Sequence, residues 1–331
     1  MFRSTAALTG ILSALAIGDL PSSQGGVAAR LASVRTGTQV LSGPLVVYNA
    51  GSLAAPFREL LAAFVRKHSN VRPMQESSGS LEAARKLTEL GKIPDVIAVA
   101  DYNVIAKLLM PRQATWYISF ASNAMVLSYS DRSTASREIT PLNWWRILLR
   151  PGVRWGSSDP RLDPNGYRAH MVFQLAEIQY HEPRLAARLE AALQPRYLRP
   201  NEAQLTGLVQ AGELDYAWSY ESLARGGGLR WLQLPPEIDL SDPALSARYA
   251  QAEVVISPSR PGAADSLRFR GEPILYALTI PSTAPHRELA RAFVQFVLSS
   301  PGQSILRAAG LRLLSKPSVS GDGSEAAGLL P

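Results

Sequence analysis

Asp163-Pro164-Asn165-Gly166-Tyr167-Arg168 joins a strand-like run, Val153-Arg154-Trp155-Gly156, to an apolar, helix-like run that begins near Tyr167. The start of a helix carries unpaired N–H groups at the positive end of the helix dipole, which makes it a ready site for an anion. Asn165 and Gly166 have backbone N–H groups that such a turn can aim at a ligand, whereas Pro164 has none. Asp163 opposes the anion reading, because a bare carboxylate repels an anion. It is also a good N-cap. The stretch therefore reads either as a capped helix start or as the site of a ligand that wants a carboxylate.

Similar junctions recur upstream. Leu45-Val46-Val47-Tyr48 has the unbroken apolar character of a strand buried on both faces, and Asn49-Ala50-Gly51-Ser52 turns it into a helix whose Phe57, Leu60, Leu61 and Phe64 share one face. Val71 to Met74 forms a second strand-like run. It leads through Ser77-Ser78-Gly79-Ser80 to a helix with Leu81, Ala84, Leu87 and Leu90. Asp95 to Ala100 is a third, followed by Asp101-Tyr102 and another helix. This alternation predicts an α/β protein with a mostly parallel, helix-covered sheet. Open α/β sheets bind ligands beyond the carboxyl ends of their strands, which makes Gly51, Ser52 and Ser80 candidates. Ser80 can serve as a helix cap or as an anion donor through the same hydroxyl.

Trp116 to Tyr129 reads as an extended crossing into a second domain, and Pro273 to Ile280 as the return. The expected organisation is a discontinuous first lobe, 44–122 with 273–314, and a second lobe, 123–272, joined by two hinge crossings. A cleft between two such lobes is a preferred ligand site. Pro235 to Ala250 reads as a surface excursion, Pro258 to Gly271 as a loop, and the Ser/Gly-rich residues 315–331 as a disordered tail. Arg3, an apolar run to Ile17 and the small residues Val27-Ala28-Ala29 read as an export signal over 1–29, with 30–43 a flexible lead. Export places the protein in the periplasm or outside the cell.

Composition narrows the chemistry. The chain has 331 residues, 46% of them hydrophobic, and a net charge of +7. Its arginines are scattered, without a stripe interleaved with aromatics, so nucleic acid is not an expected partner. With no cysteine, disulfides, thiolate metal sites, thiol catalysis and a Cys-linked lipid anchor are excluded. The four histidines form no paired metal-ligand motif. No nucleophile elbow or cofactor loop is present, so an enzyme using Asp163, Glu202 and Tyr220 as an acid/base set is the lesser reading and no cofactor is expected.

Six motifs taken in order resemble those of the archaeal-type tungstate/molybdate-binding proteins, the solute receptors of ABC importers. They are Asn49-Ala50-Gly51-Ser52-Leu53, Gly79-Ser80, Asp95 to Tyr102, Asp163 to Arg168, Arg199-Pro200-Asn201-Glu202 and Ala211 to Ala217. The likeness covers roughly 44–315. It implies a type II periplasmic-binding-protein fold, a monomer, a membrane permease as partner and an oxyanion in the cleft. It further implies that Asp163 and Glu202 bind the tungsten or molybdenum centre itself. Gly51, Ser52 and Ser80 would hold oxo groups from the first lobe, and Pro164, Asn165 and Tyr220 would line the second. Two carboxylates would repel sulfate or phosphate at a cost of several kcal/mol in a low-dielectric cleft. A hard, oxygen-seeking metal centre takes them as ligands. The plain alternative for Glu202 is an exposed residue in a first helical turn, and Glu221 is the alternative second carboxylate. A same-fold receptor for sulfate, phosphate or an organic acid is the runner-up. Tungstate and molybdate are not distinguished, being nearly equal in size and charge.

Overall fold

A computed structural model describes residues 40–257 and 266–331. The expected export signal and most of the flexible lead lie outside these residues. β1 (Gly43–Ala50) runs parallel to both β2 (Val71–Ser78) and β3 (Val96–Val99). Leu45, Val47 and all four residues of β3 are buried, as strands covered on both faces require. The helix Ala54–Lys67 links β1 to β2, and its Phe57, Leu60, Leu61 and Phe64 are buried against the sheet. Phe57 and Phe64 meet the Phe293 ring edge-on, with centroids 6.2 and 5.4 Å apart. The helix Ser80–Thr88 links β2 to β3. Both connections are the crossovers that a parallel pair demands.

After β4 (Trp116–Ser122) the chain passes through Asn123 and Ala124 into β5 (Met125–Tyr129), which belongs to a different sheet. That sheet is completed by β6 (Trp155–Ser158), β7 (Leu198–Arg199), β8 (Tyr216–Tyr220) and β9 (Arg230–Gln233), in the order β7-β6-β8-β5-β9. An antiparallel ribbon of β10 (Glu253–Ile256) and β11 (Leu267–Arg270) follows. β12 (Leu275–Thr279) returns to the first sheet and lies antiparallel between β3 and β4. β13 (Arg312–Gly321) closes its outer edge, giving β13-β4-β12-β3-β1-β2. The molecule is thus an α/β protein of two lobes with two crossings.

Three local expectations are corrected. The tail expected to be disordered forms β13 and a short helix, Gly323–Ala327. Its Ser/Gly composition conceals that edge pairing uses backbone groups, here with β4 from Trp116 to Ser122. Ala326 and Leu329 are buried, and Glu325 pairs with Arg287 and Arg291. The Pro258–Gly271 stretch contributes β11. The Pro235–Ala250 excursion is anchored by fully buried Ile238, Leu240 and Tyr249.

Candidate functional site

Asp163 caps the helix Pro164–Tyr180 from the end of β6. Its Oδ1 accepts hydrogen bonds from the Asn165 N–H at 2.8 Å and the Ser158 hydroxyl at 2.9 Å. The Gly166 N–H donates to the Asp163 carbonyl at 3.1 Å. The two backbone N–H groups expected to face a ligand are therefore used within the cap, because an N-cap carboxylate and carbonyl are the nearest acceptors. Gly166 lets this helix start sit against the end of β6, since a Cβ there would overlap the Ser158 carbonyl oxygen and lie 2.7 Å from the Pro160 nitrogen.

Glu202 opens the helix Glu202–Ala211. It is only 1% exposed, unlike a first-turn surface residue. Its Oε1 accepts the Ser52 N–H at 2.9 Å, tying the second lobe to the turn after β1. Its Oε2 is buried and meets no N–H or hydroxyl donor among the described residues, and its carboxyl lies within hydrogen-bonding reach of the Asp163 carboxyl. Gly51 packs closely beside it, where a Cβ would lie 3.1 Å from Asn201 Oδ1. Asp163 is equally buried, and its carboxyl is pushed well above the usual range. Burial is the larger cause, and the adjacent negative charge of Glu202 is the next. The two carboxyls therefore converge.

The remaining expected residues border the same place. Ser52 Oγ accepts from the Tyr276 hydroxyl at 3.0 Å. Ser80 Oγ accepts from the Ala100 N–H at 3.0 Å. The Tyr220 hydroxyl accepts from Arg168 Nη1 at 2.8 Å, and burial raises its pKa well above the ordinary phenol value. Pro164 and Asn165 are buried in the first turn of their helix. Glu221, the alternative carboxylate, is engaged by Arg225 and Arg312 instead.

The lobes are in direct contact here. The Leu81 and Glu82 N–H groups donate across the cleft to the Leu162 carbonyl at 3.1 and 3.2 Å. Arg85 Nη1 donates to the Arg161 carbonyl at 2.7 Å. Gly79 permits this approach, for a Cβ there would overlap the Leu162 carbonyl and lie 3.0 Å from the Pro200 oxygen.

Sequence reasoning missed the group behind the site. Arg168, 3% exposed, donates to the Ala100 carbonyl at 2.8 Å and pairs with Asp101 Oδ2 at 3.1 Å. The Tyr167 hydroxyl donates to the same Asp101 oxygen at 2.6 Å. Both partners stand in motifs already singled out. A charge at a strand end and another in the opening turns of an apolar helix are the signal that could have found them. The buried carboxyls Asp101, Asp163 and Glu202 outnumber the Arg168 guanidinium behind them, and the other buried guanidinium, Arg85, is turned to the Arg161 carbonyl. A simple dianion would be repelled unless its central atom accepted carboxylate oxygen as a ligand. Among the described residues, no group of three or more His, Cys, Asp or Glu side chains is placed to hold a free metal ion.

Known proteins agree with this architecture. A solute-binding protein of Petrotoga mobilis is 40% identical over 277 residues, covering 84% of this chain and 86% of the relative. The molybdate/tungstate-binding protein WtpA of Pyrococcus abyssi is 34% identical over 304 residues, covering 84% and 87%. The periplasmic molybdate-binding protein of Azotobacter vinelandii shares the fold, with a TM-score of 0.52 at 16% identity over 82% of this chain and all of that one. These relatives are binding proteins, not enzymes, and carry a ligand rather than a cofactor. The family of bacterial extracellular solute-binding proteins matches residues 45–312, and the chain belongs to it.

Proposed function

We propose that the protein is an extracytoplasmic receptor that captures tungstate or molybdate between its lobes and delivers it to an ABC importer in the membrane. The observation that carries this reading is the convergence of Asp163 and Glu202, both 1% exposed and within hydrogen-bonding reach of one another, with no N–H or hydroxyl donor on Glu202 Oε2 among the described residues. Such a pair is costly beside a sulfate or phosphate, yet it offers oxygen ligands to a six-valent metal centre. The metal here is part of the cargo. Ser52, Ser80 and Tyr220 supply neutral O–H groups to the oxo oxygens. Gly51, Pro164 and Asn165 shape the walls, Pro164 only by its ring or carbonyl. The 34% identity to a molybdate/tungstate-binding relative supports the same ligand class. Among the described residues no helix is long and apolar enough to cross a membrane.

The test is a melting scan of the purified protein with tungstate, molybdate, sulfate and phosphate, each in large excess. Ligand that binds only the folded state raises the melting temperature by mass action. Tungstate and molybdate are expected to do so and the other two not. A shift with sulfate or phosphate alone would establish the same-fold alternative instead.

A further inference from the structure

Ser52, Ser80 and Tyr220 share a property beyond their position. Each hydroxyl oxygen already accepts a hydrogen bond from a group behind it. For Ser80 the donor is the Ala100 N–H, 3.0 Å away, and for Tyr220 it is Arg168 Nη1, 2.8 Å away. For Ser52 it is the Tyr276 hydroxyl, 3.0 Å away, and its direction is set one step further back. Asn123 Oδ1 accepts from the N–H groups of Ala124 and Ser222 at 3.0 and 3.3 Å, which orients the amide. Asn123 Nδ2 therefore donates to the Tyr276 hydroxyl at 3.1 Å.

A hydroxyl has one proton to give. Tyr276 receives from Asn123 and gives its proton to Ser52. Among the described residues neither serine hydroxyl bonds a protein acceptor with its own proton, nor does Tyr220. Burial pushes both the Tyr220 and Tyr276 phenols above their ordinary range, so both keep their protons near neutral pH. Hydrogen bonds in such a chain also polarise one another. The chain is rooted in both crossings, because Asn123 lies between β4 and β5 and Tyr276 lies in β12.

We propose that Tyr276, held by Asn123, is a positioning residue that commits the Ser52 hydroxyl to donate into the cleft, as Ala100 and Arg168 commit Ser80 and Tyr220, so that the site selects a ligand presenting a bare oxygen acceptor to all three. This rests on the oxyanion reading above. Tungstate and molybdate meet the requirement on every oxygen near neutral pH. A ligand with a hydroxyl group or a retained proton at one of these positions sets donor against donor.

The experiment is a double-mutant cycle by titration calorimetry with sodium tungstate, run to millimolar concentration on the full chain. Tyr276→Phe keeps the ring and removes only the hydroxyl. It is expected to weaken tungstate about five- to tenfold in the parent protein. In the Ser52→Ala background it is expected to change affinity by less than about twofold, because the hydroxyl it positions is gone. Equal losses in both backgrounds, or no loss in the parent, would overturn the proposal. Melting of the ligand-free variants checks folding, and if Tyr276→Phe fails it, Asn123→Ala takes its place with the same criteria. A parent protein that binds neither tungstate nor molybdate sinks the tungstate/molybdate reading itself, and that result appears before any variant is made.

Discussion

Replacing Gly79 by alanine should separate cleft closure from folding. Gly79 has φ −60° and ψ 144°, a conformation any residue adopts, so alanine introduces no strain within the first lobe. Its new Cβ would instead strike the opposite lobe, 2.8 Å from the Leu162 carbonyl carbon and 3.0 Å from the Pro200 oxygen. Both obstacles are backbone and cannot rotate away. Carbon contacts settle near 3.5 Å, so the lobes must part by about 1 Å at this point. That stretches the Leu81 and Glu82 bonds to the Leu162 carbonyl, now 3.1 and 3.2 Å, beyond hydrogen-bonding distance. Two lost bonds and residual overlap cost the closed state about 2–4 kcal/mol. Tungstate affinity should fall about 30- to 700-fold by calorimetry. The open form pays none of this, so the ligand-free melting temperature should stay within about 2 °C wherever that form is the one melting. Small-angle scattering at saturating tungstate should show a larger radius of gyration than the parent. Parental affinity together with a parental radius would refute the reasoning.

Asp163→Asn keeps the cap, since asparagine accepts from the Asn165 N–H as well as aspartate does, but it can no longer ionise and bind a metal centre as a carboxylate. Tungstate affinity should fall at least about 100-fold if the carboxylate is a metal ligand, whereas relief of anion repulsion would raise it. The folded-state pKa of Asp163 lies above its unfolded value of 3.8, so the folded protein keeps a proton that the unfolded chain has released. Stability from this group is therefore full below 3.8 and is lost as pH rises through the folded value. The ligand-free variant should accordingly melt above the parent at pH 8, and the difference should vanish as the pH approaches 3.8 in parallel melting scans. Ending the chain after Gly310 removes β13, buried Ala326 and Leu329, and the Glu325 ion pairs. Urea unfolding should show a loss on the order of 3–5 kcal/mol, while tungstate affinity in the cold stays within about threefold.

The local patterns were legible because they depend on neighbours in sequence. Unbroken apolar runs such as Leu45 to Tyr48 mark strands with both faces covered, and the three- and four-residue spacing from Phe57 to Phe64 marks a helix face. The two passages between lobes were visible as long apolar extended stretches at Trp116–Tyr129 and Pro273–Ile280. The tail was misread because composition reports the absence of a core, not the presence of an open strand edge. β4 offers that edge from more than 180 residues away in the chain, an edge no local rule could place.

The different settings of Glu202 and Glu221 belonged to the tertiary structure. Both open helices, and their local sequences are equally compatible with exposure. Only the packed molecule delivers the Ser52 N–H to Glu202 at 2.9 Å and two guanidiniums to Glu221. The same holds for the buried Arg168–Asp101 pair and for the Asn123–Tyr276–Ser52 chain, which joins residues 153 and 224 positions apart. Periodicity in a chain records which face is covered. The direction of a hydrogen bond between distant residues depends on where the backbone brings them, and that was settled only when the two lobes met.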